Sequence, residues 1–169
     1  MENEELKRDL VHWKKIGSIA ADTMAYARKI TKAETPLLEI AEKVEAYVEK
    51  KGVKFAFPLN LSTDNIAAHY TPIKGDGKTA QGMLKIDLGL SDDGFLSDSA
   101  SSLDLSPEGK YEEIIKASED GLKAAIKAMR YNSEMKNVGK AIIDAIQKRG
   151  FEPIRNLSGH SIEKWDLHA

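Results

Sequence analysis

The sequence of 169 residues contains no cysteine. Disulfide bonds, thiolate nucleophiles and zinc sites that use sulfur are therefore excluded, and carboxylate and imidazole remain as the metal ligands to consider. Neither sign of charge dominates, because 25 lysines and arginines stand against 27 aspartates and glutamates. This near balance gives no overall electrostatic reason to bind nucleic acid or an anionic membrane surface.

Long apolar runs are absent from the sequence as well. No stretch approaches the ~20 apolar residues that a membrane helix needs, and the charged N-terminal segment lacks the apolar core of a signal peptide. We therefore expect a cytoplasmic protein that binds no membrane. A chain with 41% hydrophobic and 31% charged residues is typical of a globular protein, and its length predicts a single domain over residues 1–169.

Hydrophobic periodicity predicts an α+β fold. The predicted elements, in chain order, are helices over residues 4–30 and 36–51, short β-favouring runs at 53–57 and 66–70, a strand at 83–90, its returning arm at 95–105, helices over 107–130 and 134–150, and short β-like pieces in 151–169. Thr35 and Ser133 are the expected N-caps of the second and fourth helices. This order indicates helices packed on one face of an antiparallel sheet.

Two aspartates, Asp87 and Asp98, flank the turn of the predicted hairpin. If the turn residues are Asp92 and Asp93, the two aspartates face each other directly; if the turn is Asp93-Gly94, Asp98 lies diagonal to Asp87. Both registers place the carboxylates on one face, where the Cβ atoms of facing residues are only ~4.5–5.5 Å apart, whereas a three-residue loop without a bulge would separate them. Like charges so close are destabilising without a cation, so the pair indicates a metal site. The alternative is that this face is simply the solvated side of the sheet.

The four histidines carry different expectations. His12, on the first predicted helix, is assigned to the surface or to packing. His69 lies in an apolar run, where an imidazole is either a hydrogen-bonded core residue or a catalyst. His160 follows Gly159, a residue that lets the backbone fold closely around a ligand. His168 is second from the end of the sequence, a position of low functional expectation.

Six segments, spread in order along the whole chain, carry a family likeness. They are Phe57-Pro58-Leu59-Asn60, Ile66-Ala67-Ala68-His69-Tyr70-Thr71-Pro72, Lys85-Ile86-Asp87-Leu88-Gly89, Asp93-Gly94-Phe95 with Asp98, Asn156-Leu157-Ser158-Gly159-His160-Ser161-Ile162 and Leu167-His168-Ala169. Together they resemble a type II methionine aminopeptidase, closest to the archaeal form. The resemblance implies the pita-bread fold, of which this chain would contain the N-terminal half and the start of the second half. It also implies that the first methionine is removed from new polypeptides.

The resemblance also implies roles for individual residues. The implied metal ligands are Asp87, Asp98 and His160. His69 would contact the scissile peptide bond and His168 would assist at its carbonyl, while Phe57 and Leu167 would line the pocket for the methionine side chain. The implied cofactors are two divalent ions, and Mn, Co, Fe and Zn all suit mixed oxygen and imidazole ligands.

In one respect the sequence departs from the family pattern. Members of the family continue past the Leu167-His168-Ala169 motif, and the continuation supplies two glutamate ligands, one of them the general base. We therefore expect the 169-residue chain alone to bind metal weakly and not to turn over. A second polypeptide, or self-association of this chain, would complete the fold.

Two other functions stay open at this point. The chain could be a non-catalytic binding protein on the same fold, like some proliferation-associated relatives, although in those the metal ligands are typically replaced. It could also be a creatinase or a proline-specific peptidase, which share the ligand set. The segments around His69 and His168 look more like the methionine enzyme.

Overall fold

A computed structural model describes residues 2–169, which form two compact units. The first unit comprises residues up to 106 together with 160–169, and the second comprises residues 107–159. The first contains α1 (Glu2–Ile30), α2 (Leu37–Lys50), β1 (Lys54–Thr63), β2 (Met83–Asp92) and β3 (Phe95–Asp104), and the second contains α3 (Glu112–Ala128) and α4 (Met135–Gln147). A single domain over the whole chain stays a prediction. No helix among the described residues is long and apolar enough to cross a membrane.

Three antiparallel strands form the sheet of the first unit, in the order β1-β2-β3. In the β2–β3 hairpin Asp92 pairs with Phe95 and Gly89 pairs with Asp98. The turn is therefore Asp93-Gly94, the second of the two predicted registers. Its φ angles of 49° and 83° are those of a type I′ turn, which requires positive φ at both central residues.

The side chains of β2 alternate between a buried and a polar face. The buried face carries Leu84, Ile86, Leu88 and Leu90, all with no exposed area. This face packs on α1 and α2, whose buried residues include Ile16, Ala20 and Ala27 on α1 and Leu37, Ile40, Val44 and Val48 on α2. The α+β class is thus confirmed, with both helices of the first unit on the antiparallel sheet. Asp87 and Gly89 lie on the opposite face.

The predicted strand at residues 66–70 is wrong, because residues 64–82 form a loop between β1 and β2. Instead of forming a strand ladder, this segment makes isolated backbone hydrogen bonds to β1 and to the start of α2. The Leu61 N–H donates to the Tyr70 carbonyl at 2.7 Å, and the Leu37 N–H donates to the Lys78 carbonyl at 2.9 Å. His69 is consequently exposed, so the alternative that its imidazole is a hydrogen-bonded core residue is wrong.

The predicted caps Thr35 and Ser133 do not cap helices in the structure. The end of the chain also differs from its predicted structure. Helix α2 begins after Pro36 without a side-chain cap. Helix α4 begins after Glu134, while the Ser133 hydroxyl accepts a hydrogen bond from the Arg130 N–H at 2.9 Å. The predicted β-like pieces in residues 151–169 reduce to one isolated bridge between Glu163 and Asp166.

The second unit is a hairpin of α3 and α4. Gly121 on α3 allows close contact, because a Cβ atom there would lie 3.1 Å from the Ile146 side chain of α4. Arg149, which follows α4, contacts two residues of α3, Asp120 at 2.7 Å and Glu113 at 3.3 Å.

Candidate functional site

A cavity of about 320 Å³ opens on the polar face of the first unit's sheet. Its lining residues are Phe57, Pro58, Asn60, His69, Asp87, Asp98, Leu167 and His168. Six of the seven predicted site residues belong to this set, and the seventh, His160, contacts Asp98. The structure therefore brings together residues that are far apart in the sequence, while their chemical roles stay predictions.

A β-bulge in β1 places two of these side chains on the cavity face. Phe57 pairs with Gly89 and Asn60 pairs with Asp87, with register shifts on either side of Phe57. In a regular strand, residues three apart point to opposite faces, so Phe57 and Asn60 share a face only because of the extra residue. Pro58 lies in this irregular stretch. It is tolerated there because β1 is an edge strand of the described sheet and a bulge needs no donor.

The Asp87 carboxylate accepts a hydrogen bond from the side-chain amide of Asn60, which Thr71 holds in place. The Asn60 Nδ2 donates to Asp87 Oδ2 at 3.2 Å, and the Thr71 hydroxyl donates to Asn60 Oδ1 at 2.8 Å. The hydroxyl fixes which end of the amide faces the carboxylate. Burial raises the pKa of the half-buried Asp87 carboxyl, the Asp98 charge raises it further, and the hydrogen bond from Asn60 works against both.

Asp98 and His160 form the second contact of the site. His160 Nε2 lies 3.4 Å from Asp98 Oδ2, and the centre of the His160 ring lies 4.4 Å from that of His168. His160 Nδ1 lies 3.1 Å from the Ser161 carbonyl oxygen. When Nδ1 donates to the Ser161 carbonyl, the Nε2 lone pair of the neutral ring faces the Asp98 carboxylate, an arrangement that a cation between them would stabilise.

The residues present fit a divalent metal ion in their chemistry. Two carboxylates and an imidazole are donors for ions of intermediate hardness, and within residues 2–169 neither Asp87 nor Asp98 forms an ion pair with a lysine or arginine. These three side chains do not make a complete metal site, however. Among the described side chains, no three of the types His, Asp and Glu converge closely enough to hold an ion by themselves.

His69 is presented to the cavity by a strained backbone. Its φ of 64° is unusual for a residue other than glycine and costs of order 1–3 kcal/mol. The Tyr70 N–H donates to the Ser62 hydroxyl at 3.3 Å, so the residue after His69 is fixed to β1. Strain held in place by neighbouring bonds is common where a side chain must point in one direction for function.

Gly89 separates the two aspartates on the cavity face and leaves room for an aromatic ring. A Cβ atom at this position would lie 2.2 Å from Cε1 of Phe57. The ring of Phe57 therefore lies directly on the backbone of β2. This contact forms one wall of the cavity.

We expect Gly89→Ala to move Phe57 while leaving the fold intact. The added methyl occupies the position of the ring edge, and Phe57 is only partly buried, so its side chain can turn away. Gly89 itself is buried, so the cost should be about 1–3 kcal/mol, the range for an added methyl group in a packed site. Aromatic NMR shifts of Phe57 and thermal unfolding would measure the two effects. Gly77→Ala, where nothing lies within 4 Å of the new Cβ, is the matched control; unchanged Phe57 shifts in Gly89→Ala would contradict the prediction.

Sequence reasoning missed Asn60, Thr71 and Gly89 as parts of the site. Asn60 and Thr71 belong to the motif segments but had no role, because their contacts depend on a bulge and a loop. The signal that could have found the bulge is Pro58, which cannot pair regularly inside a strand. Gly89 breaks the alternation of β2 with a residue that is unfavourable in strands, a sign of close approach.

Comparisons with known proteins agree on one family. The profile of metallopeptidase family M24 matches residues 12–169. A methionine aminopeptidase from Pyrococcus abyssi is 45% identical over 155 residues, which are 90% of this chain and 52% of that protein. This chain thus spans about half the length of such curated relatives.

Solved structures share the fold. A methionine aminopeptidase from Rickettsia prowazekii has a TM-score of 0.84 at 17% identity, covering 96% of this chain and 69% of that one. A prolidase from Pyrococcus furiosus has a TM-score of 0.77 at 22% identity, covering 96% of this chain and 49% of that one. At these identities the likeness establishes the architecture and not the substrate.

Proposed function

Because the chain belongs to metallopeptidase family M24 and has the pita-bread fold, we propose that it serves in the metal-dependent removal of the N-terminal methionine from new polypeptides. The observation that carries this proposal is the cavity that Asp87, Asp98, His69 and His168 line together. The curated relatives named methionine aminopeptidase support the choice of substrate. Such a substrate would place the protein in the cytoplasm.

Asp87, Asp98 and His160 are the groups proposed to hold the metal. When bound, divalent ions would activate a water molecule and polarise the carbonyl of the scissile peptide. Before that, these residues supply the negative charge and the lone pair described above, in positions fixed by Asn60 and by the Ser161 carbonyl. We propose two ions, with Mn, Co, Fe and Zn as candidates.

His69 and His168 are proposed to act on the substrate itself. Both line the cavity with the two aspartates, and each ring can donate a hydrogen bond to a peptide carbonyl or to the charge that develops on it. The bond between the His168 N–H and Asp166 Oδ1, at 3.1 Å, fixes the backbone beside the second histidine. Phe57 and Leu167 supply apolar walls that fit an unbranched side chain such as that of methionine.

We also propose that groups outside residues 2–169 complete the metal site. Two ions with four to six ligands each need more donors than two carboxylates and one imidazole provide. A longer chain or a second polypeptide would supply them. With the 169 residues alone we propose weak metal binding and no turnover, so the assays below use the complete protein that carries this chain.

A proline-specific peptidase is the second candidate, because a prolidase structure of the same fold covers 96% of this chain. A Met-Ala-Ser peptide and an Ala-Pro peptide separate the two functions when each is incubated with the complete protein and Mn²⁺ or Co²⁺. Release of methionine from the first supports the proposal. Cleavage of the second alone would replace it, and cleavage of neither would favour a binding protein.

We expect His69→Ala to lower kcat for methionine release by about 100-fold, the lower end of what a proton-donating or proton-accepting side chain contributes. KM should change less, because the apolar pocket is intact. Methionine release is measured by liquid chromatography. His12→Ala is the matched control, since its ring stacks on Phe95 at 4.7 Å and does not line the cavity. Equal rates for the His69 variant and the control would show that His69 takes no part in the reaction.

A further inference from the structure

The segment that carries His160 and His168 has no regular structure of its own. We call residues 160–169 the tail loop. Two backbone hydrogen bonds between Glu163 and Asp166, of 2.9 and 3.1 Å, close a tight turn in it. Within this turn Trp165 has a φ of 68°, in the left-handed region. Further contacts within the loop join Ser161 to Ala169 and His168 to Asp166, so the loop is held internally as well as by what it contacts.

The tail loop contacts the β2–β3 turn through Trp165. The backbone N–H of Trp165 donates to the Gly94 carbonyl at 2.9 Å. Its indole covers Gly94 so closely that a Cβ there would lie 2.3 Å from Cε2. Lys164 adds a contact on the same side, with its Nζ 4.6 Å from the centre of the Phe95 ring. We call the pair of Trp165 and Gly94 the clasp.

The clasp and the candidate site lie at opposite ends of the same stretch of β3. Gly94 is four residues from Asp98, about 13 Å along a strand. At Asp98 the tail loop makes its second contact, through His160 Nε2 at 3.4 Å. The tail loop is thus attached to the hairpin near its turn, through Trp165 and Lys164, and at Asp98, through the proposed metal ligand His160.

Burial does not account for the position of Trp165. The side chain is 71% exposed, so the contact removes little apolar surface from water. It also requires a left-handed backbone at a residue that adopts it rarely. What the clasp does provide is a fixed distance between the turn of the hairpin and the two histidines.

We propose that the clasp is a positioning device that sets His160 and His168 against Asp98. This inference rests on the proposed function, because it matters only if His160 binds the metal. Neither Trp165 nor Gly94 lines the cavity. They act through the tail loop, whose other described contacts with the hairpin are those of Lys164 with Phe95 and of His160 with Asp98.

The test is a double-mutant cycle on the complete protein, with Mn²⁺ affinity measured by calorimetry. Trp165→Ala should lower the affinity about tenfold, the lower end of the effect of groups that orient a ligand. Trp165→Phe keeps a ring on Gly94 and should therefore retain most of the Mn²⁺ affinity. Trp165→Ala combined with His160→Ala should bind no more weakly than His160→Ala alone, because both changes remove the same contribution.

A second readout reports the clasp itself, without metal. The Gly94 α-protons lie under the indole, so their NMR signals should shift downfield in Trp165→Ala. Trp165→Gly is the control for backbone strain, because glycine adopts positive φ freely. It should lose Mn²⁺ affinity like Trp165→Ala although its backbone is relaxed.

If both variants shift the Gly94 signals and keep full affinity, or if the losses in the double mutant add, the clasp does not position the histidines. If His160→Ala itself keeps full affinity, the proposed metal site fails, and the clasp proposal fails with it.

Discussion

Replacing Asp87 with asparagine is expected to lower Mn²⁺ affinity by more than about 100-fold, beyond the effect of groups that only orient a ligand, and to stabilise the metal-free protein at neutral pH. The two effects have one cause. The half-buried carboxylate is a donor for the ion, but without an ion its charge lies away from water and near Asp98. This is why burial raises the pKa of Asp87.

The pH dependence of the stabilisation follows from the direction of that shift. An acid with a raised pKa in the folded protein favours folding below its unfolded pKa of ~3.9 and loses that contribution as pH rises through the folded value. The neutral amide of Asp87→Asn avoids the loss. Thermal unfolding with EDTA should therefore show a higher Tm for the variant at pH 7, and the difference should vanish on acidification to below pH ~3.9.

Asp92→Asn provides the matched control for both measurements. Asp92 ends the same strand, but its carboxylate pairs with Lys15 at 2.6 Å and does not line the cavity. We expect its Mn²⁺ affinity to equal that of the unmodified protein. Full Mn²⁺ affinity in Asp87→Asn would show that Asp87 is not a metal ligand. A lower Tm of this variant at pH 7 would show that the charge of the Asp87 carboxylate is compensated in another way.

Leu88→Ala is expected to cost about 2–5 kcal/mol of the free energy of unfolding, the range for truncating a buried leucine. Leu88 neighbours Asp87 in β2 but points to the opposite face, where it has no exposed area. Removing it leaves a space between the sheet and the helices of the first unit. Urea unfolding followed by circular dichroism measures the loss.

The control for this truncation lies on the surface of the second unit. Leu122→Ala removes the same atoms from a side chain that is 59% exposed, so its cost should stay within about 0.5 kcal/mol. Equal costs for the two variants would mean that the buried face of β2 is not the core of the first unit.

Helices and strands with a clear hydrophobic periodicity could be predicted from the sequence. The alternation of β2 predicted the hairpin and the shared face of its aspartates, and the turn residues left two registers, of which Asp93-Gly94 is the one formed. Helices α1 and α2 follow from apolar residues at steps of three and four. These patterns survive because each residue's direction depends only on its own element.

The parts that could not be predicted depend on contacts between distant residues. The run containing His69 is apolar and β-favouring, yet it forms a loop that is joined to β1 through the hydrogen bond from the Leu61 N–H to the Tyr70 carbonyl. The roles of Asn60 and Thr71 require the bulge beside Pro58, and a bulge leaves only a weak trace in the sequence. The resemblance to a known family supplied the site residues that spacing alone could not connect.

The strict alternation of β2 also limits how the length of this chain can vary. Core leucines and cavity residues occupy successive positions in the strand, so an insertion of one residue within it would turn the carboxylate of Asp87 toward α1 and a leucine into the cavity. Such an insertion would remove the fold and the chemistry together. The loop at residues 64–72 has less freedom than its lack of regular structure suggests, because it must still present His69, and Asp76 shares this limit since it accepts a hydrogen bond from the Tyr70 hydroxyl. The exposed residues 73–75 can lengthen without reaching either face of the strand.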